Sequence, residues 1–246
     1  HLVLRRQRQM CIRDSVAGVY SENDKRPGWW NHVVGPGKAI DTNKFFVICS
    51  NCLGACKGST GPTSRKENGR IYGINFPDLS ILDMVRSQKL LLDHLGIKKL
   101  FAVVGGSMGG MQALQWIVEY PNFLEKAIII AATAQHTVQT IAFNEAGRRS
   151  ITDDPDWKEG EYGEGEGPRR GLAVARMMAH ITYLSDHGME EKFGGSKRLD
   201  SKEQFEFSIQ RYLDYQGKKF INRFDANSYL KPVSYTHLTL PTKNEV

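Results

Sequence analysis

The spacing of apolar residues divides this chain into three stretches. Residues 15–44 show no regular period and are rich in turn signals, Pro27-Gly28 and Gly35-Pro36-Gly37 among them. Between residues 45 and 132, short unbroken apolar runs alternate with segments of helical period. Phe45 to Cys49, Leu100 to Val104 and Ala127 to Ala132 have strand length. Ser80 to Leu95 carries Ile81, Met84, Val85, Leu91, Leu92 and Leu95 on one helical stripe, and Gly96 supplies its stop. Met108 to Tyr120 is a second such helix. Strand–helix–strand order predicts parallel strands joined by right-handed crossovers. Ile128, Ile129 and Ile130 run without alternation, as a central strand covered on both faces does.

Past Thr133 the strand signal ends. Residues 134–150 read as helix, Asp153 to Gly167 as an acidic, glycine-rich connection, and Gly171 to Ser185 and Phe205 to Gln216 as further helices. The prediction is an α/β core over residues 15–133, with a mostly parallel sheet, and a helical lid over residues 134–231.

Composition changes this picture little. At 246 residues, 40% hydrophobic and 24% charged, the chain is ordinary for a globular protein. No apolar run is long enough to span a bilayer and no signal peptide is visible, so a cytoplasmic enzyme is expected. The net charge of +6 owes three units to residues 1–14, where Arg5, Arg6, Arg8 and Arg13 face Asp14. The remainder has no basic stripe interleaved with aromatics, which argues against nucleic acid. Cys49, Cys52 and Cys56 form C-x2-C-x3-C, but no fourth ligand stands at zinc spacing. Thiols in a reducing compartment are expected there, and no metal.

One motif carries chemistry. Gly105-Gly106-Ser107-Met108-Gly109 is a G-x-S-x-G sequence with a predicted strand before it and a predicted helix after it. That context predicts a nucleophile elbow. Small residues flank the serine because the turn is too tight for larger ones. The Ser107 hydroxyl is then presented above the sheet, and the Met108 amide points to where an oxyanion develops.

Several longer phrases carry a resemblance. Gly35-Pro-Gly-Lys-Ala-Ile-Asp-Thr42, Phe46-Val-Ile-Cys-Ser-Asn51, Gly58-Ser-Thr-Gly-Pro62, Ala102-Val-Val-Gly-Gly-Ser-Met-Gly-Gly-Met-Gln112, Ala142-Phe-Asn-Glu145, Ala173-Val-Ala-Arg-Met-Met-Ala-His-Ile-Thr-Tyr-Leu-Ser185 and Arg223-Phe-Asp-Ala-Asn-Ser-Tyr229 resemble homoserine O-acetyltransferases of the MetX type. The match is collinear from about Val16 to Leu230. It implies an α/β-hydrolase fold, with the sheet incomplete here, and a helical lid. It also implies acetyl transfer from acetyl-CoA, as co-substrate, to the hydroxyl of L-homoserine in methionine biosynthesis, with no bound cofactor. Ser107 would be the nucleophile and Met108 the backbone oxyanion donor. Arg176 and Tyr183 match the family's acceptor-binding pair. They are seven residues apart on one predicted helix, about two turns, and so share a face. A homodimer through the lid helices is implied as well. Succinyl-CoA as donor, serine as acceptor, or plain ester hydrolysis are the alternatives.

The chain also departs from the family. An aspartate and a histidine should follow the serine, and they are expected beyond the lid, outside this sequence. His1, His32, His94 and His136 lie at the wrong places in chain order, His180 and His187 belong to the lid, and no base is assigned. The family's first strands, with the second oxyanion donor, should precede Val16. Instead Arg6-Gln-Arg-Gln-Met-Cys-Ile-Arg-Asp14 and Pro232-Val-Ser-Tyr-Thr-His-Leu-Thr-Leu-Pro241 resemble translated sequencing-adapter sequence. Residues 1–14 and 232–246, His237 included, are therefore expected to be non-native tails. Uncovering Ile128, Ile129 and Ile130 costs roughly 1.5–3 kcal/mol for each. The polypeptide as written is thus expected to be inactive and prone to aggregate.

Overall fold

The computed structural model describes residues 2–5, 16–17, 27–163, 165–194 and 207–233. Its first strands are β1 (Leu2–Arg5), β2 (Val34–Gly35), β3 (Ile40–Asp41) and β4 (Val47–Ile48). Helix α1 (Ile81–His94), strand β5 (Leu100–Gly106), helix α2 (Met108–Glu119) and strand β6 (Leu124–Ile130) follow. The main sheet runs β4-β1-β5-β6 and every pairing in it is parallel, while β2 and β3 form a separate parallel pair.

Part of the stretch read from sequence as a non-native tail is paired in the sheet: Leu2 pairs with Val47 on one side and Ala102 on the other. Leu-Val-Leu is a good strand sequence, and the slot between β4 and β5 offers unpaired backbone groups on both sides. Residues 6–14, Cys11 among them, and residues 234–246 with His237 lie outside the described residues.

Strand β5 serves both faces of the sheet. Leu100 and Val103 pack with Val85, Leu92, Ile97, Ala113 and Trp116, beneath α1 and α2. Ala102 and Val104 pack with Val34 on the opposite side, where Phe45, Val47 and Cys49 join them. Cys49 thus behaves as a small hydrophobe. Two buried faces explain why β5 reads as a continuous apolar run.

Helix α1 begins with a reciprocal cap. Ser80 Oγ accepts from Asp83 N at 3.1 Å, and Asp83 Oδ2 accepts from Ser80 N at 2.8 Å. It ends as expected at Gly96, with Ile97 N donating back to Leu92 O at 2.9 Å. Leu95 departs from the predicted stripe and is exposed, whereas polar Gln88 is buried. Gln88 is kept inside by a chain of hydrogen bonds. Trp116 Nε1 donates to Gln88 Oε1 at 3.1 Å, and Gln88 Nε2 to Gln112 Oε1 at 2.7 Å. Gln112 Nε2 in turn reaches Met84 Sδ at 3.2 Å and Cys52 Sγ at 3.4 Å.

Strand β6 is uncovered, as expected where the sheet is incomplete. It ends the sheet among the described residues, and Ile128, Ile129 and Ile130 are 51%, 37% and 45% exposed. Their burial is partial, so the penalty is roughly half of the 1.5–3 kcal/mol expected for each uncovered side chain. An open edge carrying three isoleucines is a template for self-association. Replacing Ile128 with lysine is expected to shift the protein from aggregate towards monomer in light scattering. Unchanged scattering would locate the sticky surface elsewhere.

The second unit spans Thr137–Val233. It comprises α3 (Val138–Thr152), a 3-10 segment over Pro155–Gly160, α4 (Arg169–Thr182), α5 (Asp186–Phe193), α6 (Ser208–Ile221) and α7 (Ala226–Val233). The predicted helix Gly171–Ser185 therefore stops three residues early. Ser185 caps the next helix instead, its Oγ accepting from Gly188 N at 3.1 Å. Helices α5 and α7 are both short and escape a reading based on period. Asp225 holds the start of α7: its Oδ2 accepts from Ser228 N at 2.7 Å, and its Oδ1 from the Tyr162 hydroxyl at 2.8 Å. Burial, with Asp225 beside it, pushes the Tyr162 phenol far above its ordinary value.

Candidate active site

Ser107 joins β5 to α2, and its backbone is the least ordinary feature of the first unit. It has φ +57° and ψ −127°, in the left-handed half of conformational space. A non-glycine residue there is strained by about 1–3 kcal/mol and must be held by its surroundings. The holding groups are visible. Ser107 N donates to Ile130 O at 2.9 Å, tying the turn to the end of β6. Gly110 N and Met111 N donate to Ser107 O at 2.8 and 3.1 Å, tying it to α2. Ala131, just after β6, also has a positive φ, +48°.

The same geometry releases the side chain. Ser80 and Ser107 both precede helices. Ser80 is extended, φ −87° and ψ 166°, and spends its hydroxyl on the cap. Ser107 makes no side-chain cap hydrogen bond and is exposed. Its Oγ stands at a helix N-terminus, where the amides of Met108 and Gly109 have no intrahelical acceptor. That is a positive end suited to a developing oxyanion. The small residues earn their place by contact. A Cβ on Gly105 would lie 2.0 Å from Gly109 O, and one on Gly110 would lie 2.4 Å from the Ala132 Cβ. Gly110, outside G-x-S-x-G, is thus as constrained as the motif's own residues, which the motif alone does not reveal.

Arg176 and Tyr183 lie in the second unit. Arg176 is buried, 4% exposed, inside α4, while Tyr183 is 55% exposed at the C-cap. Tyr183 keeps near-helical angles, φ −88° and ψ −18°. The expected shared face follows: the Arg176 guanidinium carbon is 6.0 Å from the Tyr183 ring centre and 5.0 Å from that of Phe220. Between them stands His180, set aside at the sequence level because it cannot be a triad base. Its position four residues after Arg176 and three before Tyr183 was the available signal. Burial first, then the charges of Arg176, Arg223 and Lys192, depress its pKa from 6.5 to about 4.

A depressed histidine pKa means that the unfolded chain takes up the proton first as pH falls. The stability this contributes is complete above about pH 6.5 and lost as pH falls through about 4. The urea midpoint of the protein is therefore expected to fall between pH 7 and pH 4 more steeply than that of His180→Phe. Parallel curves for the two proteins would show that His180 carries no such linkage.

No triad base is assigned: His32, His94 and His187 are all exposed. Among the described residues, no group of three or more histidine, cysteine or acidic side chains is placed to hold a metal ion. None of the described helices is long and apolar enough to cross a membrane.

Comparison with known proteins agrees with this geometry. The chain is 56% identical over 234 residues to a homoserine O-acetyltransferase of Methanococcoides burtonii, covering 91% of this chain and 48% of that relative. The chain thus spans about half the length of the curated relatives that it matches in this way. Among solved structures, it is similar to homoserine O-acetyltransferase from Bacillus anthracis, with a TM-score of 0.84 and 32% identity over 96% of this chain and 65% of that one. It is equally similar to esterase E22, with a TM-score of 0.82 and 34% identity over 96% of this chain and 67% of that one. Residues 23–236 match the alpha/beta hydrolase fold family. With its parallel sheet, its left-handed serine between β5 and α2 and these matches, the chain belongs to the alpha/beta hydrolase fold family.

Proposed function

We propose that the whole protein is a homoserine O-acetyltransferase, moving an acetyl group from acetyl-CoA to the side-chain hydroxyl of L-homoserine through an acyl-enzyme on Ser107. The observation that carries the chemistry is the strained Ser107, with its hydroxyl exposed and spared from capping. The 56% identity to a curated homoserine O-acetyltransferase supports the choice of donor and acceptor. Ser107 Oγ attacks the thioester carbonyl, the Met108 amide stabilises the oxyanion, and CoA leaves as the thiol. The homoserine hydroxyl then attacks the acetyl-serine, and Oγ recovers its proton. The proton relay belongs to an acid–histidine pair of the α/β-hydrolase type, which is assigned to no described residue. Arg176 offers a bidentate fork to the acceptor's carboxylate and Tyr183 a hydroxyl. A cytoplasmic homodimer with no bound cofactor belongs to the same reading.

The likeness to esterase E22 favours a second reading, in which water replaces the amino acid as acceptor. Acetyl-CoA supplied with and without L-homoserine separates the two. Thiol release that depends on L-homoserine is expected. Equally rapid release without it would overturn the transferase in favour of a hydrolase, and preference for succinyl-CoA or L-serine would move the assignment within acyl transfer.

A further inference from the structure

His180 takes no part in the chemistry proposed for Ser107, yet its surroundings are specific. Its ring meets the Tyr183 ring edge-on at 5.6 Å and that of Tyr212, on α6, edge-on at 5.4 Å. One ring nitrogen is accounted for, with Nδ1 and the Tyr212 hydroxyl 2.9 Å apart. The other, Nε2, is closed off from solvent and has no hydrogen-bond partner among the described residues. Buried polar atoms are seldom left in that state, because each forfeits its hydration.

The charge around the ring indicates what such an atom would take. Arg176, Arg223 and Lys192 are the charged groups that act on it, and all are cations. That field attracts an anion and repels an ammonium group. The 2.9 Å contact admits either direction; in the tautomer where the Tyr212 hydroxyl donates to Nδ1, the imidazole proton sits on Nε2 and makes it an N–H donor.

We propose that His180 Nε2–H and the Arg176 guanidinium together receive the carboxylate of the amino-acid acceptor, with Tyr183 as a movable cover and Tyr212 as the positioning residue that sets the tautomer. This rests on the acceptor-binding role proposed for Arg176. Tyr183 is suited to the cover because it is 55% exposed and stands one residue beyond the end of α4. Its side chain turns between rotamers without unwinding the helix. Tyr212 touches no ligand and acts through the imidazole alone.

Calorimetric titration of the full chain with L-homoserine, and with L-homoserine lactone, which has no free carboxylate, tests this. His180→Phe is expected to weaken L-homoserine binding by about tenfold or more and to leave the lactone unchanged. Tyr212→Phe removes only a hydroxyl, so the packing survives. It is expected to weaken binding by roughly threefold and to convert the single Nε2–H tautomer expected for His180 in nitrogen-15 spectra of the unsubstituted chain into a mixture. A packing role alone would not move that signal. If Arg176→Gln weakens binding and His180→Phe does not, the His180 assignment is overturned and the role of Arg176 stands. If neither weakens it, or the unsubstituted chain does not bind L-homoserine, both are overturned.

Discussion

Replacing Ser107 with glycine in the whole protein is expected to abolish the acyl transfer proposed for it and, at the same time, to make the protein more stable. The loss follows from removal of the nucleophile proposed above. In enzymes that use an activated serine, that step typically costs on the order of 10⁶ in kcat. The gain follows from the backbone. Ser107 sits at φ +57°, where a Cβ is crowded and glycine is not. Relief of that strain, less the extra freedom glycine has in the unfolded chain, leaves about 1 kcal/mol. A gain of that size raises the melting temperature by roughly 2–4 °C in a protein of this length. Ser107→Ala is the control, because it removes the hydroxyl but keeps the Cβ. It should be as inactive as the glycine variant without being stabilised. Residual turnover near the unsubstituted level, or a lower melting temperature for Ser107→Gly, would remove Ser107 from the role proposed for it.

The second large effect separates two adjacent glycines. Neither Gly105 nor Gly106 has a positive φ, so only contact distinguishes them. A methyl on Gly105 would lie 2.0 Å from Gly109 O and 2.3 Å from its carbonyl carbon, both backbone atoms in the first turn of α2. No side chain can give way, so the helix must move, at a cost of about 3 kcal/mol or more. A melting temperature lower by roughly 6–12 °C is expected for Gly105→Ala. A methyl on Gly106 meets nothing nearer than Ile130 O at 3.8 Å, an ordinary contact. Gly106→Ala is expected to melt within about 2 °C of the unsubstituted protein. Equal destabilisation of the two would mean that the elbow is not packed as described.

These contrasts show how unevenly the site could be read from residues alone. G-x-S-x-G between an apolar run and an amphipathic stretch located Ser107 and Met108, because strand and helix periods are local properties of the chain. It did not single out Gly110, whose constraint comes from Ala132 across the end of β6. Arg176 and Tyr183 came through likeness to a family, and their shared face through spacing along one helix. The tie between His180 and Tyr212 joins residues 32 apart in sequence, on different helices, and no local period records it.

The sequence by itself determined the order of α1, β5, α2 and β6, the parallel sense of the core strands, the end of α1 at Gly96 and the place of the serine turn between β5 and α2. Each depends on residues within a few turns of one another, where backbone geometry links side-chain type to position. Tertiary structure alone decided that Leu2–Arg5 occupy the slot between β4 and β5, and that Gln88 is buried while Leu95 is not. It also decided that the Ser107 hydroxyl is spared from its own helix, because the φ of a single residue is set by what grips it from β6 and α2. The physical difference is that burial and strain depend on neighbours distant in sequence, whereas apolar spacing reports only what each segment would need.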